Sequence, residues 1–417
     1  MVSVLDFKGK SDDEIINNAV KHRGADGIVV IDAKENGEPW LLDNAILLPE
    51  HTTVIINSCK IKLSDKCRDN FFRSANCGLG IEDIEKISDI HIKGVGRAVL
   101  EGADHPRATG DGSKILSKPC PYEKEDLIKY ADWVPKDRKI SGELNFEDTH
   151  IHTYGTDAGK EGESQSGGWQ GIGILLANVD DFSIDNIKLS DYHCWGISIE
   201  AGTNGKITNI HFDACMSKVI DGMRHNIENQ DGIDLRNGCN HILISDITGN
   251  TGDDVVALTA IADKSIRKSG AVNSTNIMHS DWSKRDRDIH DVTIRNVVAT
   301  SNLCFLVRLL PAESEIYNIV INDIVDTSEK PTHAGAILLG EADAEYGVNL
   351  PDSINNVVIS NVISNSSGEA IIVAGYITDS VISNVINRNK NAGTIRIDRK
   401  NGIKNTQIKE APRCRKA

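Results

Sequence analysis

Ile242-Leu-Ile-Ser-Asp-Ile247 is one copy of the short pattern that decides the fold of this chain. In each copy an aliphatic run meets Asn or Asp, which is followed by Ile or Val. The other copies are Phe182–Ile187, Ile207–Ile210, Val292–Val297, Ile319–Ile324, Val357–Val362 and Val381–Val385. Short β-branched runs between Asn, Asp and Gly are typical of strands. A second apolar run follows several copies, as in Trp195–Ile199, Ala336–Leu339, Ala370–Val373 and Thr394–Ile397.

The spacing of these copies predicts a solenoid. Closing aliphatic residues of neighbouring copies lie 23 or 27 residues apart, and wider intervals indicate either long loops or two repeats. A period in the low twenties with two or three strands per repeat favours a parallel β-helix, in which stacked coils bury a shared core. A leucine-rich repeat has a similar period but would place Leu at fixed offsets. Here Ile and Val dominate and the offsets drift, so we expect an all-β parallel β-helix forming one domain over residues 1–417.

The clearest helix signal lies at the N-terminus. Ser11-Asp-Asp-Glu14 has the form of a capping box, in which Ser11 and Glu14 each satisfy a free backbone N–H. Ile15, Ile16, Ala19 and Val20 follow at helical spacing. We therefore predict a short helix at about residues 12–22, the core of an N-terminal capping element over 11–22. Such a helix would cover the open end of the stack.

Two segments interrupt the repeat. Residues 103–170 form a long insertion that is rich in Tyr, Trp and Gly, and long insertions in a compact scaffold are often functional loops. Its aromatic side chains, Trp169 among them, either stack on sugar rings or pack the loop against the helix wall. The second interruption, 262–288, carries a run of mixed charge that is typical of a solvated loop. Residues 411–417 form a basic tail.

Composition restricts the classes of partner. The 417 residues carry a formal net charge of −15, which opposes binding to nucleic acid, and no apolar stretch reaches the length of a membrane span. The nine cysteines lack CxxC spacing and favour free thiols. The 13 histidines show no metal-ligand spacing, so we expect no metal and no cofactor. An N-terminus without an apolar core predicts a cytoplasmic protein, or a secreted one if a signal peptide was removed.

Three carboxylates lie at matching points of two successive repeats. Asn229-Gln-Asp231-Gly-Ile-Asp-Leu235 aligns with Gly252-Asp253-Asp254-Val-Val-Ala-Leu258, so Asp254 follows Asp231 by 23 residues. Equivalent positions of adjacent coils lie about 4.8 Å apart, and the three aspartates should therefore form one acidic cluster. Asp and Gly are also ordinary turn residues, but two such motifs in register favour catalysis over turn chemistry. A cluster of this kind is suited to hydrolysing glycosidic bonds.

These motifs resemble the polygalacturonase-type glycoside hydrolases of family 28, whose matching segments read Asn-Thr-Asp-Gly and, about one coil later, Asp-Asp. Ser11-Asp-Asp and the segment Ile92–Gly102 also resemble stretches of that family. The resemblance implies a right-handed parallel β-helix and hydrolysis with inversion. It implies that Asp253 is the general acid and that Asp231 and Asp254 hold and deprotonate the attacking water, with Asn229 beside them in the substrate groove.

The chain departs from the family pattern at two places. The Gly-His-Gly triplet is absent, and the nearest candidate to replace its histidine is His279. The Arg-Ile-Lys motif that grips a uronate carboxylate survives only as Arg308 in Val307-Arg308-Leu309-Leu310. Losing this lysine removes a cationic contact, so the expected substrate is a neutral or differently charged oligo- or polysaccharide. The 103–170 insertion could close one end of the groove and make the enzyme exo-acting.

Three other functions fit a chain of this kind. A polysaccharide lyase would need a basic residue, usually with calcium, and would leave an unsaturated product. A glycan-binding or tailspike-like protein would use the aromatic residues but not the aspartates. A fructan-rearranging transferase would release a cyclic anhydride. The outer faces of a β-helix also sometimes pair, which leaves a homo-oligomer open.

Overall fold

The computed structural model describes residues 1–67, 69–81, 83–104, 168–220, 223–227, 229–261, 276–277, 287–341, 349–399 and 401–409. Within these residues the chain forms long parallel sheets stacked as a β-helix, with one short α-helix at the N-terminus, as the sequence predicts. Most of the 103–170 insertion and the whole 411–417 tail lie outside the described residues.

The strands are numbered β1 to β29 in chain order and form two large sheets. The 17 described strands of the first sheet are β1 (Val2–Ser3), β2 (Ile28–Asp32), β3 (Trp40–Leu42), β5 (Thr52–Asn57), β6 (Lys60–Leu63), β8 (Ile87–Val95), β9 (Val99–Glu101), β11 (Val179–Ser190), β13 (Thr203–Asp213), β17 (Asn240–Thr251), β19 (Ile289–Ser301), β21 (Ile316–Asp326), β23 (Ile354–Ser364), β25 (Ile377–Thr378), β26 (Val381–Asn387), β28 (Ile403–Lys404) and β29 (Gln407–Lys409).

The second sheet is formed by the shorter strands that alternate with them. Its ten described strands are β4 (Ile46–Leu48), β7 (Phe72–Ser74), β10 (Ile174–Ala177), β12 (Ile197–Glu200), β16 (Ile233–Arg236), β18 (Val256–Ala260), β20 (Val307–Pro311), β22 (Ile337–Leu339), β24 (Ile371–Val373) and β27 (Ile395–Ile397). An antiparallel hairpin, β14 (Ser217–Ile220) with β15 (Met223–Asn226), leaves the stack. Short 3₁₀ turns span Val4–Asp6 and Gly168–Gly171.

The strand register resolves the wide intervals between repeats. Ile207 of β13 pairs with Ile184 of β11 and with Ile244 of β17, and Ile244 pairs in turn with Ile294 of β19. Neighbouring coils therefore differ by 23, 37 and 50 residues, yet each interval is a single coil. The 37-residue interval carries the β14–β15 hairpin, and the alternative of two repeats does not apply to the intervals of 37 and 50 residues.

The core fills the space between the sheets. Ile242, Ile244 and Ile247 on β17 are almost completely buried, and the matching aliphatic residues of neighbouring strands stack above and below them. Each fully buried Ile stabilises the fold by about 1.5–3 kcal/mol. One coil alone has no surface against which to bury these side chains, so the stack is the stable unit.

The Asn or Asp of each repeat has a conformational role. These residues have positive φ and occupy one column of the first sheet: Asn186, Asn209, Asp246, Asn296, Asp323, Asn361 and Asn384. Asn and Asp adopt this left-handed conformation more readily than other residues with a Cβ. Their side chains also form a hydrogen-bonded ladder, in which the Asn209 Nδ2 donates to the Asn186 Oδ1 at 2.9 Å. The recurrent Asn or Asp therefore marks a bend in every coil.

The N-terminal helix α1 spans Asp12–Lys21 and contacts β3 and β4. Ile16, Ala19 and Val20 are buried beneath it, as their spacing predicts. The predicted capping box is not formed, because the Ser11 side chain makes no capping hydrogen bond. Instead the Glu14 Oε2 accepts from the backbone N–H of Lys10 at 2.7 Å. The helices in the described residues lack the length and apolar content of a membrane span.

Candidate active site

Two of the predicted aspartates occupy equivalent positions on adjacent coils. Strand β16 pairs with β18 so that Ile233 lies opposite Val256. Two residues before each of them, Asp231 and Asp254 are stacked, and the Gly232 N–H donates to the Asp254 carbonyl at 2.8 Å. The spacing of 23 residues thus brings both aspartates to the same edge of the second sheet.

Asp253 is held beside this pair by its own backbone. Its carbonyl accepts hydrogen bonds from Thr251 Oγ1 at 2.6 Å and from Ser301 Oγ at 2.8 Å. Its Oδ1 accepts from the Asp254 N–H at 2.9 Å. Gly252 allows this tight turn, because a Cβ there would lie 2.9 Å from the Cβ of Gln230. The turn leaves the Asp253 side chain partly exposed and buries that of Asp254.

A fourth carboxylate, that of Asp234, belongs to the cluster, although neither sequence motif assigns it a role. Ile233 and Leu235 join the core, so Asp234 between them faces the outer side of β16. Asp234 is buried, and the Asp231 and Asp254 carboxylates are close enough to interact with it electrostatically. The signal in the sequence is the alternation of Ile233 and Leu235 with two charged residues, Asp234 and Arg236, in one short strand.

Burial and mutual repulsion raise the pKa of the three buried carboxyls of this cluster. Burial, followed by repulsion from Asp253 and Asp234, raises the pKa of Asp231 well above its usual range. Burial also raises the pKa of Asp234 well above its usual range, while the nearby Arg236 opposes the rise. Burial raises the pKa of Asp254 to about 7, although Arg308 counteracts part of this shift. Among the described residues, neither Asp231 Oδ1 nor Asp234 Oδ2 has a hydrogen-bond partner.

Arg308 lies in the site and is engaged by carboxylates. Its guanidinium contacts the Asp254 Oδ2 at 3.5 Å and donates to the Glu341 Oε2 at 2.8 Å. Glu341 follows β22 and was not anticipated from the motifs. Leu310, at the position of the missing lysine, is buried against Ile261 and Ala312. The described part of the site therefore presents more carboxylates than cations.

The other predicted substrate-binding residues differ in placement. Asn229 precedes Asp231 with a left-handed backbone, φ 55°, and is half-buried. Trp169 is only 7% exposed and packs in one cluster with Trp195. Trp195 occupies the position equivalent to Asp231 on the preceding coil. The Arg73 guanidinium lies 5.0 Å from the Trp169 ring centroid. Trp169 thus packs against the wall of the β-helix, while His279 lies outside the described residues.

The Cys304 thiol completes one side of the cluster. Its pKa is raised by burial and by repulsion from Asp254 and Asp253, so it stays protonated and hydrogen-bonds to Asp253. One potential ligand atom from each of Asp253, Asp254 and Cys304 lies within 4.8 Å of the others. These three residues could hold a cation.

Comparisons with known proteins agree with the fold. No family model and no curated protein matches the chain. Among solved structures, a tailspike protein of E. coli bacteriophage HK620, in complex with a pentasaccharide, is 12% identical with a TM-score of 0.53, over 98% of this chain and 65% of that one. The family 28 exopolygalacturonase of Yersinia enterocolitica is 13% identical with a TM-score of 0.43, over 97% of this chain and 78% of that one.

The exopolygalacturonase of Thermotoga maritima is 14% identical with a TM-score of 0.46, over 98% of this chain and 91% of that one. At such identities, likeness to the tailspike concerns the fold alone. The chain is thus a parallel β-helix similar in fold to a protein solved with a bound oligosaccharide.

Proposed function

We propose that this protein is a glycoside hydrolase that cleaves O-glycosidic bonds with inversion. The observation that carries the proposal is the stacking of Asp231 on Asp254, with Asp253 beside them, at a site where burial raises the pKa of both stacked carboxyls. Inversion requires one carboxylic acid and one carboxylate acting on opposite sides of the scissile bond. A cluster of interacting carboxyls supplies both forms at the same pH.

The roles follow from exposure and from hydrogen bonding. Asp253 is the most exposed of the three, so it is best placed to reach the oxygen of the leaving sugar and to protonate it. Asp231 and Asp254 are stacked and buried, and together they hold a water molecule whose proton the ionised Asp254 removes. One carboxylate oxygen of Asp253 lies within 4.8 Å of one oxygen of Asp254, which allows a proton to return to the acid after each turnover.

The charge of the site favours a neutral sugar. A uronate carboxylate would meet a cluster of aspartates, and Arg308 is already shared between Asp254 and Glu341. Leu310 offers an apolar surface where a second cation would be needed. The substrate we propose is therefore an oligo- or polysaccharide without carboxylates at the cleaved bond.

A glycan panel tests this proposal against its alternatives. Wild type and Asp253→Asn are incubated with neutral and uronate-containing oligosaccharides, and reducing ends and unsaturated products are measured together. New reducing ends from neutral glycans that are lost in Asp253→Asn support the hydrolase. Unsaturated products would instead identify a lyase, and a cyclic anhydride a fructan-rearranging transferase. Glycan binding without turnover, unchanged in Asp253→Asn, would identify a binding protein.

A further inference from the structure

A second column of left-handed residues in the first sheet contains two histidines. Its ten described positions stack in register and all have positive φ: His51, Asp89, Asp181, Asn204, His241, Asp291, Asn318, Asn356, Asp379 and Asn405. Eight of them are Asn or Asp, the residues that suit this conformation. At His241 an imidazole replaces the short amide or carboxylate, and it lies next to Asp291 in the column.

The imidazole of His241 meets two other metal-ligating side chains. His241 Nε2 lies 3.8 Å from the Asp291 Oδ2, and His290 Nδ1 lies 2.7 Å from the same oxygen. One potential ligand atom from each of the three residues lies within 4.8 Å of the others. His290 and Asp291 belong to β19, whereas His241 belongs to the neighbouring strand β17.

The neighbouring residues orient all three side chains. His241 Nδ1 lies 2.7 Å from the Asn240 Oδ1, which can only accept, so the Nε2 of a neutral His241 carries the free lone pair. The Asn318 Nδ2 donates to the Asp291 Oδ1 at 3.0 Å and leaves Oδ2 turned to the imidazoles. Tyr317 stacks on the His290 ring, with centroids 4.8 Å apart and planes 10° apart. Metal-ligating histidines and carboxylates are commonly oriented by such outer partners.

We propose that His241, His290 and Asp291 form a binding site for a transition-metal dication, with Zn²⁺ as the best fit. Two imidazoles and one carboxylate match the N and O ligands of zinc, whereas Ca²⁺ and Mg²⁺ prefer oxygen alone. A tetrahedral ion would keep its fourth position for water or an external ligand. Binding replaces the hydrogen bond between His290 Nδ1 and Asp291 Oδ2, because both atoms then ligate the ion.

This site is separate from the carboxylate cluster. It lies at the start of β17 and β19 on the first sheet, whereas the aspartates lie at the edge of the second sheet. Its ligands lie on two neighbouring coils, in which paired positions of β17 and β19 are 50 residues apart in sequence. A bound ion would therefore link these two coils. Zinc should therefore stabilise the folded protein.

Zinc titration of the metal-free full-length protein tests the proposal. Isothermal calorimetry gives stoichiometry and affinity, and the visible absorption of Co²⁺ reports the coordination geometry. His241→Asn restores the residue type of the column and so preserves the fold while removing one ligand. Asp291→Asn does the same for the carboxylate. His211→Ala removes an exposed histidine on the same sheet, outside the cluster, and serves as the control.

We expect wild type to have a zinc site that is weakened at least about 10-fold in His241→Asn and Asp291→Asn and unchanged in His211→Ala. Zinc should also raise the Tm of wild type but not of the two ligand variants. Equal zinc stoichiometry and affinity in wild type and His241→Asn would overturn the proposal, as would the absence of saturable binding to wild type.

Discussion

The buried carboxyl of Asp234 destabilises the folded protein at neutral pH, because its pKa is raised. Burial raises this pKa in the folded protein, so the folded state holds the proton more tightly than the unfolded chain does. With respect to this group, the free energy of unfolding is therefore highest below the ordinary Asp pKa of about 4, and it falls as pH rises toward the raised pKa. Buried, partly repelling carboxylates are tolerated at functional sites because activity requires them.

We predict that Asp234→Asn increases the free energy of unfolding by about 1–3 kcal/mol at pH 8. The gain should shrink as pH falls toward 4, where Asp234 of the wild type is protonated. Denaturant unfolding at both pH values measures it. Asp246→Asn is the matched control, because hydrogen bonds from Asn296 and Ser245 lower the pKa of Asp246 and this variant should not be stabilised. A loss of stability in Asp234→Asn at pH 8 would contradict this account.

Asp254 determines the acidic side of the activity profile. Its pKa is raised to about 7 by burial, and as part of the base it must be ionised to accept the proton of water. We therefore predict that kcat/KM falls as pH drops through about 7, whereas an unperturbed aspartate would titrate near 4. The profile of kcat/KM against pH reports this group in the free enzyme. Full activity at pH 5 would exclude Asp254 as the base.

At the scale of single elements, the left-handed Asn column explains why each long strand bends. Asn209 combines φ 54° with a side-chain hydrogen bond to Asn186. We predict that Asn209→Ala lowers the free energy of unfolding by about 1–2 kcal/mol, because Ala adopts this conformation at a cost. Asn209→Gly should lose less, since Gly adopts it freely. Thermal unfolding of both variants compares them, and equal losses would show that only the hydrogen bond matters.

Most elements could be predicted from local sequence because each coil repeats the same physical problem. Ile and Val alternate with polar residues wherever one side of a strand is buried, as in β17 and β19. The helix was predicted within one residue of its end. Its capping was only partly predictable, because the hydrogen bond of Glu14 goes to Lys10 and depends on how the chain enters the helix.

At the scale of the whole molecule, the register of the coils determined which site residues could be found. Asp231 and Asp254 were predictable because no loop intervenes and the 23-residue spacing is regular. Glu341 comes from a more distant coil. His241 and His290 are separated by a long interval, and their proximity becomes visible only when β17 and β19 are paired. Metal-ligand spacing rules that work within one helix or turn therefore cannot detect this cluster.

The anomeric configuration of the first product tests the central claim most directly. Proton NMR during hydrolysis of the glycan identified by the panel should show a newly formed reducing end of opposite configuration to the cleaved bond. Asp253→Asn should slow the reaction by about 10²–10⁴-fold, as expected for loss of a general acid, without unfolding the protein. Retention of configuration, or an Asp253→Asn variant with wild-type activity, would contradict hydrolysis by the aspartate cluster.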